Sequence, residues 1–189
     1  MSCSLGLVWR VRPVKLDEDM EEVYSQLFLP LKVNLIRPNP YIISDHHQVS
    51  RTQFQKLLEG TKERRHVGAK EFVIEEKVSR VNSLSLVLSG RLLVSQAGRP
   101  LHVVSENQFL DSPEWFGVTT DEYFQVSVTA LDECSILVWH RDRLKFHLMA
   151  DSFLQVVFDH VLGRDVVKKL MQVGKHIFIT ALEAFLYHG

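Results

Sequence analysis

From Glu71 onward the apolar residues change from helical spacing to every second position, and that change limits what the chain can fold into. Leu84, Leu86 and Leu88 alternate with Ser85, Val87 and Ser89, Gly90 interrupts, and Leu92 and Val94 continue. Gln96-Ala97-Gly98-Arg99 then supplies a turn before Leu101 and Val103. Successive side chains of a strand point to opposite faces, so this period marks half-buried strands, and turns this short join them antiparallel. Further on, Phe124, Val126, Val128 and Ala130 alternate with Gln125, Ser127 and Thr129, and a turn at Asp132-Glu133 leads to Ile136 and Val138. The spacing predicts strands with one apolar face and one able to hold polar ligand groups.

Helical periods flank these strands. Met20, Val23, Tyr24, Leu27 and Leu31 follow the acidic start Asp17, Glu18, Asp19, which predicts a helix fraying at Pro30. Ser50 with Gln53 three residues on, then Phe54, Leu57 and Leu58 and a closing Gly60, predicts a second short helix with a capping box. Residues 34–47, with Pro38 and Pro40 and no steady period, read as an irregular loop. From Arg141 to Val173 the helical period returns, with Leu154, Phe158, Val161 and Leu170 along one stripe and Gly163 expected as a break or close contact between two helices. The tail from His176 reads as a fraying helix, with a terminal amphipathic helix or a partner contact as alternatives. Helices at both ends of an antiparallel strand set indicate an α+β domain or a β-roll, not alternating βαβ units.

Charge and residue spacing narrow the function classes. Twenty-two basic against 23 acidic side chains give no overall field to recruit nucleic acid or an anionic membrane. Lys62, Arg64, Arg65 and Lys70 are diluted by Glu63 and Glu71 and read as a solvated face. Cys3 and Cys134 make no disulfide framework, and Cys134 reads as a core residue, which fits a reducing compartment. No apolar run approaches the ~18 to 20 residues that span a bilayer. Nine histidines include His46, His47, His66 and His102, yet no His-Glu-x-x-His or Cys-x-x-Cys spacing is present, so no metal site is expected. There is no Gly-x-Ser-x-Gly elbow and no Gly-rich lysine loop, and Ser112 before a proline lacks an adjacent base; neither hydrolase nor P-loop chemistry is expected.

Two segments are left to carry binding. In Asp111-Ser112-Pro113-Glu114, a capping residue next to a proline predicts the start of a short helix, whose free N–H groups favour an anion while Asp111 and Glu114 can accept hydrogen bonds from ribose hydroxyls. A capped surface turn is the alternative. In Phe124 to Ala130, Ser127 and Thr129 share a strand face and could meet a phosphate; a half-buried strand with a solvated polar face is the alternative.

Taken jointly, Asp111-Ser112-Pro113-Glu114-Trp115, then Phe124-Gln125-Val126-Ser127, preceded by Leu84 to Arg91 and Gln108-Phe109-Leu110, resemble the Popeye domain. The resemblance runs from about Arg12 through Glu21-Glu22-Val23-Tyr24 and Leu162-Gly163-Arg164-Asp165 to about Val173. It implies a cyclic-nucleotide-binding-like antiparallel β-roll, a double-stranded β-helix or jelly roll, flanked by N- and C-terminal helices. The implied division is a lead-in over 1–15, the domain over 16–173 with an insertion at 34–48, and a divergent tail over 174–189. The implied ligand is cyclic AMP, with no cofactor and no catalysis, held by Asp111, Ser112, Pro113, Glu114, Phe124, Gln125, Val126 and Ser127, Asp111 being the family's implicated ligand residue. Ser127 departs from the commoner threonine but keeps a hydroxyl. Phe124 stands where an ordinary cyclic-nucleotide cassette places an arginine on the phosphate, so another cation, with Arg91 and Arg99 as distant candidates, or backbone amides must serve.

The resemblance also implies a plasma-membrane protein whose domain faces the cytoplasm, with transmembrane helices ahead of it. This chain starts almost at the domain, which fits a fragment or truncated form. Implied partners are other Popeye chains in homo- or hetero-oligomers, potassium channels, and caveolar or junctional proteins in muscle and epithelium. The alternative is an interaction scaffold that keeps the fold without binding nucleotide, using the helices after Arg141 for oligomer contacts.

Overall fold

The computed structural model describes residues 14–31 and 48–188; of 176–188 only the helical backbone is described. The 34–47 loop, His46, His47 and Cys3 lie outside the described residues.

Helix α1, Glu18–Val23, begins at Asp17, whose carboxylate accepts the Met20 N–H at 2.9 Å, and continues as a π-helical turn over Tyr24–Phe28 that closes before Pro30. Helix α2, Arg51–Glu59, carries the expected capping box between Ser50 and Gln53 and stops at Gly60. Seven strands follow: β1 Thr61–Val67, β2 Phe72–Ile74, β3 Ser83–Ser89, β4 Leu92–Gln96, β5 Arg99–Val104, β6 Ser127–Ala130 and β7 Cys134–His140. A six-residue helix, α3 (Ser112–Gly117), separates β5 from β6, and α4 (Arg141–Met149) and α5 (Ser152–His188) close the chain.

The strands pair antiparallel in two sheets, β1-β7-β3 and β2-β6-β4-β5. One hydrophobic core lies between the sheets, built from Val87, Leu92, Val94, Val128, Ile136 and Phe124 among others. A second lies between the three-stranded sheet and the helices, where Leu84, Leu86, Leu137 and Trp139 meet Phe28, Phe54, Phe109 and Phe158. β3 and β7 are therefore buried on both faces; the expected apolar and polar faces hold for β6, where Val128 and Ala130 are buried and Ser127 and Thr129 half-buried. The β4–β5 turn has Ala97 at φ 48° and Gly98 at φ 75°, the positive angles a two-residue hairpin needs to follow strand twist. Gly90, at φ 88°, lies where an added Cβ would come 2.6 Å from Cys134 Sγ and the Glu133 carbonyl.

Three expectations need correction. Gly163 neither breaks a helix nor makes a close contact: α5 runs through it with open space around it, and the break falls at Ala150-Asp151, where Asp151 Oδ1 caps the Leu154 N–H at 3.1 Å. Leu170 leaves the buried stripe and is exposed, because the buried face of α5 at this level is carried by Asp165 and Lys169. Residues 124–126 are not part of β6, since Phe124 spends its N–H on Ser79 (3.0 Å) and its carbonyl on Lys77 N–H (2.7 Å) in the turn after β2. The charged residues at 62–65 form a largely solvated face, as expected, and lie on an edge strand, β1, with Arg64 paired to Asp17 and Asp19 and Arg65 to Glu71.

Candidate ligand-binding site

Helix α3 begins at the predicted place, with Pro113 in its first turn where a missing N–H costs nothing. Its start does not present an anion site to solvent. Asp111 occupies the N-cap position without capping; its carboxylate turns inward, Oδ1 accepts the β3 Ser85 N–H at 2.8 Å, and Oδ2 is buried with no partner. Burial, first, and then the charge of Glu114 push its pKa up to about 7, against the Ser85 hydrogen bond and Lys169, which act the other way. Ser112 is fully buried and its hydroxyl donates to Asp165 Oδ2 at 2.6 Å while accepting from Lys169 Nζ at 2.8 Å. Pro113 is exposed. Glu114 is half-buried with Oε2 buried and unpartnered, and burial raises its pKa.

The second motif lies apart in its hydrogen bonding. Phe124 is buried in the inter-sheet core, Gln125 is exposed with Nε2 donating to the Tyr123 carbonyl at 3.0 Å, and Val126 packs against the same core. Ser127 Oγ accepts the Glu76 N–H at 3.0 Å. The hydrogen bonds of 111–114 run to β3, α4 and α5, whereas those of 124–127 run to the turn at 75–79, with Ser127 opposite Ser95 of β4. Phe124 and Leu110, which precedes the first motif, belong to the same inter-sheet core.

Neither Arg91 nor Arg99 is the cation beside α3. Arg91 is exposed and paired with Asp132 at 2.7 Å, and Arg99 sits at the β4–β5 turn. Arg141 and Lys169 take that place. Arg141, 1% exposed at the β7–α4 junction, donates to the carbonyls of Val81, Glu114, Trp115 and Val118 and so holds the last turn of α3. Sequence reading did not single out either cation. A signal was present for Lys169, because Asp165 and Lys169 fall on the α5 stripe where apolar side chains are due. His66 and His102 lie on different sheets, opposite Ser135 and Val94.

Two packed antiparallel sheets with a short helix between β5 and β6 and helices at either end define the architecture shared with cyclic-nucleotide-binding domains. The c-di-GMP-responsive regulator CLP of Xanthomonas campestris superposes with a TM-score of 0.57 at 15% identity, over 66% of this chain and 61% of that one. The catabolite activator protein of Thermus thermophilus gives 0.54 at 14%, over 72% and 62%, and cAMP-bound PfPKA-R gives 0.52 at 10%, over 67% and 41%.

At the level of sequence the chain belongs to the Popeye domain-containing family. It is 33% identical over 170 residues to Popeye domain-containing protein 1 of Xenopus tropicalis, covering 89% of this chain and 46% of that protein. To Popeye domain-containing protein 2 of Mus musculus it is 36% identical over 174 residues, covering 91% and 43%. No family model matches the chain. The chain spans less than half the length of these relatives, and among the described residues no helix is long and apolar enough to cross a membrane.

Proposed function

We propose that this is a non-catalytic regulatory domain that binds cyclic AMP between the 111–114 segment and the 124–127 stretch. The observation that carries the reading is the unused hydrogen-bonding capacity of α3: Asp111 Oδ2 and Glu114 Oε2 are buried acceptors with no donor, on the segment whose sequence matches the family's ligand motif. An unmet buried acceptor costs about 1–3 kcal/mol, and ribose hydroxyls are donors of the right kind to offset it. With Phe124 in the core, the phosphate would rest on backbone amides, on Ser127, or on a cation freed from α5. As part of a longer protein the domain would act on membrane partners, among them other Popeye chains, potassium channels and caveolar or junctional proteins in muscle and epithelium.

A scaffold without nucleotide is the second reading, favoured by the complete use of the Ser112 hydroxyl and the burial of Phe124. Titration calorimetry of the folded domain with cyclic AMP and cyclic GMP, beside a folded Asp111→Ala variant, separates the two. Saturable heat from cyclic AMP that disappears in the variant supports the sensor. No heat from the folded wild-type chain sinks it in favour of the scaffold.

A further inference from the structure

The polar contacts under the start of α3 come from a helix that would ordinarily supply apolar ones. α5 sends Leu154, Phe158, Val161 and Leu162 into the core and then places Asp165 and Lys169, both buried, at the next positions of the same stripe. Lys169 Nζ donates to the Phe109 carbonyl and to Ser112 Oγ, at 2.8 Å for the latter. Asp165 accepts from the Ser112 hydroxyl at 2.6 Å and from the Phe109 N–H at 3.4 Å, and lies 2.8 Å from Lys169. Val167, Leu170 and Met171 are all more than half exposed, so the faces of α5 turned away from this pair are open to solvent. On stability grounds alone a buried ion pair is no better than well-packed apolar side chains of the same volume.

We propose that Asp165 and Lys169 form a latch by which α5 holds the candidate ligand segment closed, so that opening of residues 109–117 and lifting of α5 beyond residue 165 are one event. The inference rests on the nucleotide-binding reading for what is gated; the coupling itself belongs to the ligand-free chain. A ligand group seeking Ser112 Oγ competes with both α5 charges. Once displaced from the hydroxyl, the two charges would keep each other but each lose a buried hydrogen bond, a deficit relieved when the helix lifts and water reaches them. Arg141 meanwhile holds the other end of α3 from α4, which fixes the end about which the segment turns. His102 on β5 stands near the pair with both ring nitrogens unpartnered, and burial, then Lys169, lower its pKa, so it offers the latch no countercharge.

The test is amide hydrogen exchange on the full 189-residue chain without ligand, comparing wild type with an Asp165→Leu/Lys169→Met double variant. Replacing both charges leaves no unpaired ion behind, and Ser112→Ala, which removes the hydroxyl contact with the pair but leaves those at Phe109, provides a second, weaker perturbation of the same coupling should the double variant fold poorly. Exchange in 109–117 and in 161–175 should accelerate together, roughly tenfold or more, with β3 and β7 unchanged. Acceleration of only one stretch, or of neither, overturns the latch. Cyclic AMP titration of the same chains should show tighter binding in the double variant by a similar factor, because the open form is then populated more. Measurable binding with unchanged affinity overturns the gating; if no chain binds, the nucleotide reading falls and the exchange result alone decides the latch.

Discussion

Asp111→Asn should abolish a large pH dependence of stability. The pKa of Asp111 is raised from 3.8 to about 7, chiefly by burial. A folded-state pKa above the unfolded one means that the native chain binds the extra proton, so stability is full below pH 3.8 and falls as pH rises toward 7. At 1.36 kcal/mol per pH unit the loss is on the order of 4 kcal/mol by pH 8. Asparagine keeps the acceptor for the Ser85 N–H and carries no charge at any pH, so this loss should vanish. Glu114, also raised by burial, contributes with the same sign and remains in the variant, which is why the difference between the two proteins is the quantity to read. Urea unfolding at pH 5, 6, 7 and 8 gives that difference. The variant should gain on the wild type steadily from pH 5 to 7, level off above that, and overtake or approach it at pH 8. A difference that stays flat from pH 5 to 8 would refute the assignment of a buried, proton-holding carboxyl at residue 111.

Arg141→Met should cost at least ~3 kcal/mol in urea unfolding, since it leaves buried carbonyls of β3's approach and α3 without their shared donor; Arg141→Lys, lacking the planar fork, should recover only part of that. Gly90→Ala should lower stability by more than ~1 kcal/mol because both φ and the close approach of Cys134 oppose a side chain, whereas Gly163→Ala should raise it by about 0.5–1 kcal/mol in a mid-helix site with open space. Thermal melts of the two variants should therefore shift in opposite directions. Phe158→Ala removes a ring packed against Phe28, Phe109 and Trp115 and should cost ~3–5 kcal/mol by the same unfolding measurement.

What the sequence makes legible here is local chemistry. The turn at Gln96 to Arg99, the box at Ser50 and Gln53 and the proline-led start of α3 are each written in three or four neighbouring residues, and each forms where those residues place it. β1 is illegible because an edge strand buries little: of Thr61 to Val67 only Val67 is buried, so no apolar period exists to read. Gly163 misleads because a glycine can mark a break or merely sit in a solvated helix, while the true break carries its own signal in Asp151 before Ser152. The stretch Phe124 to Val126 has strand-like alternation, yet its backbone is claimed by residues 77–79, which are remote in sequence and not paired by any pattern. The same remoteness hides Arg141, which acquires its meaning from the carbonyls of Val81, Glu114, Trp115 and Val118, whereas Lys169 leaves only the trace of a charge on an apolar stripe.

The division of hydrogen bonds within α3 bears on how a ligand would be held. Ser112 and the carbonyls at the helix end are engaged by α5 and α4, whereas Asp111 Oδ2 at the N-cap and Glu114 Oε2 are not. Had the segment been shaped for stability alone, those acceptors would be replaced by apolar groups or given donors, because a half-satisfied buried network is worse than none. A ligand bringing hydroxyls to the free acceptors would gain most at Asp111, and most when that carboxyl is ionised, since a charged acceptor makes the stronger bond. Binding through Asp111 should then release a proton near neutral pH, and calorimetric titration in buffers of different ionisation heat will register it. Cyclic AMP bound without proton release at pH 6 would mean that the ligand meets some other group, and that the buried carboxyl serves the fold.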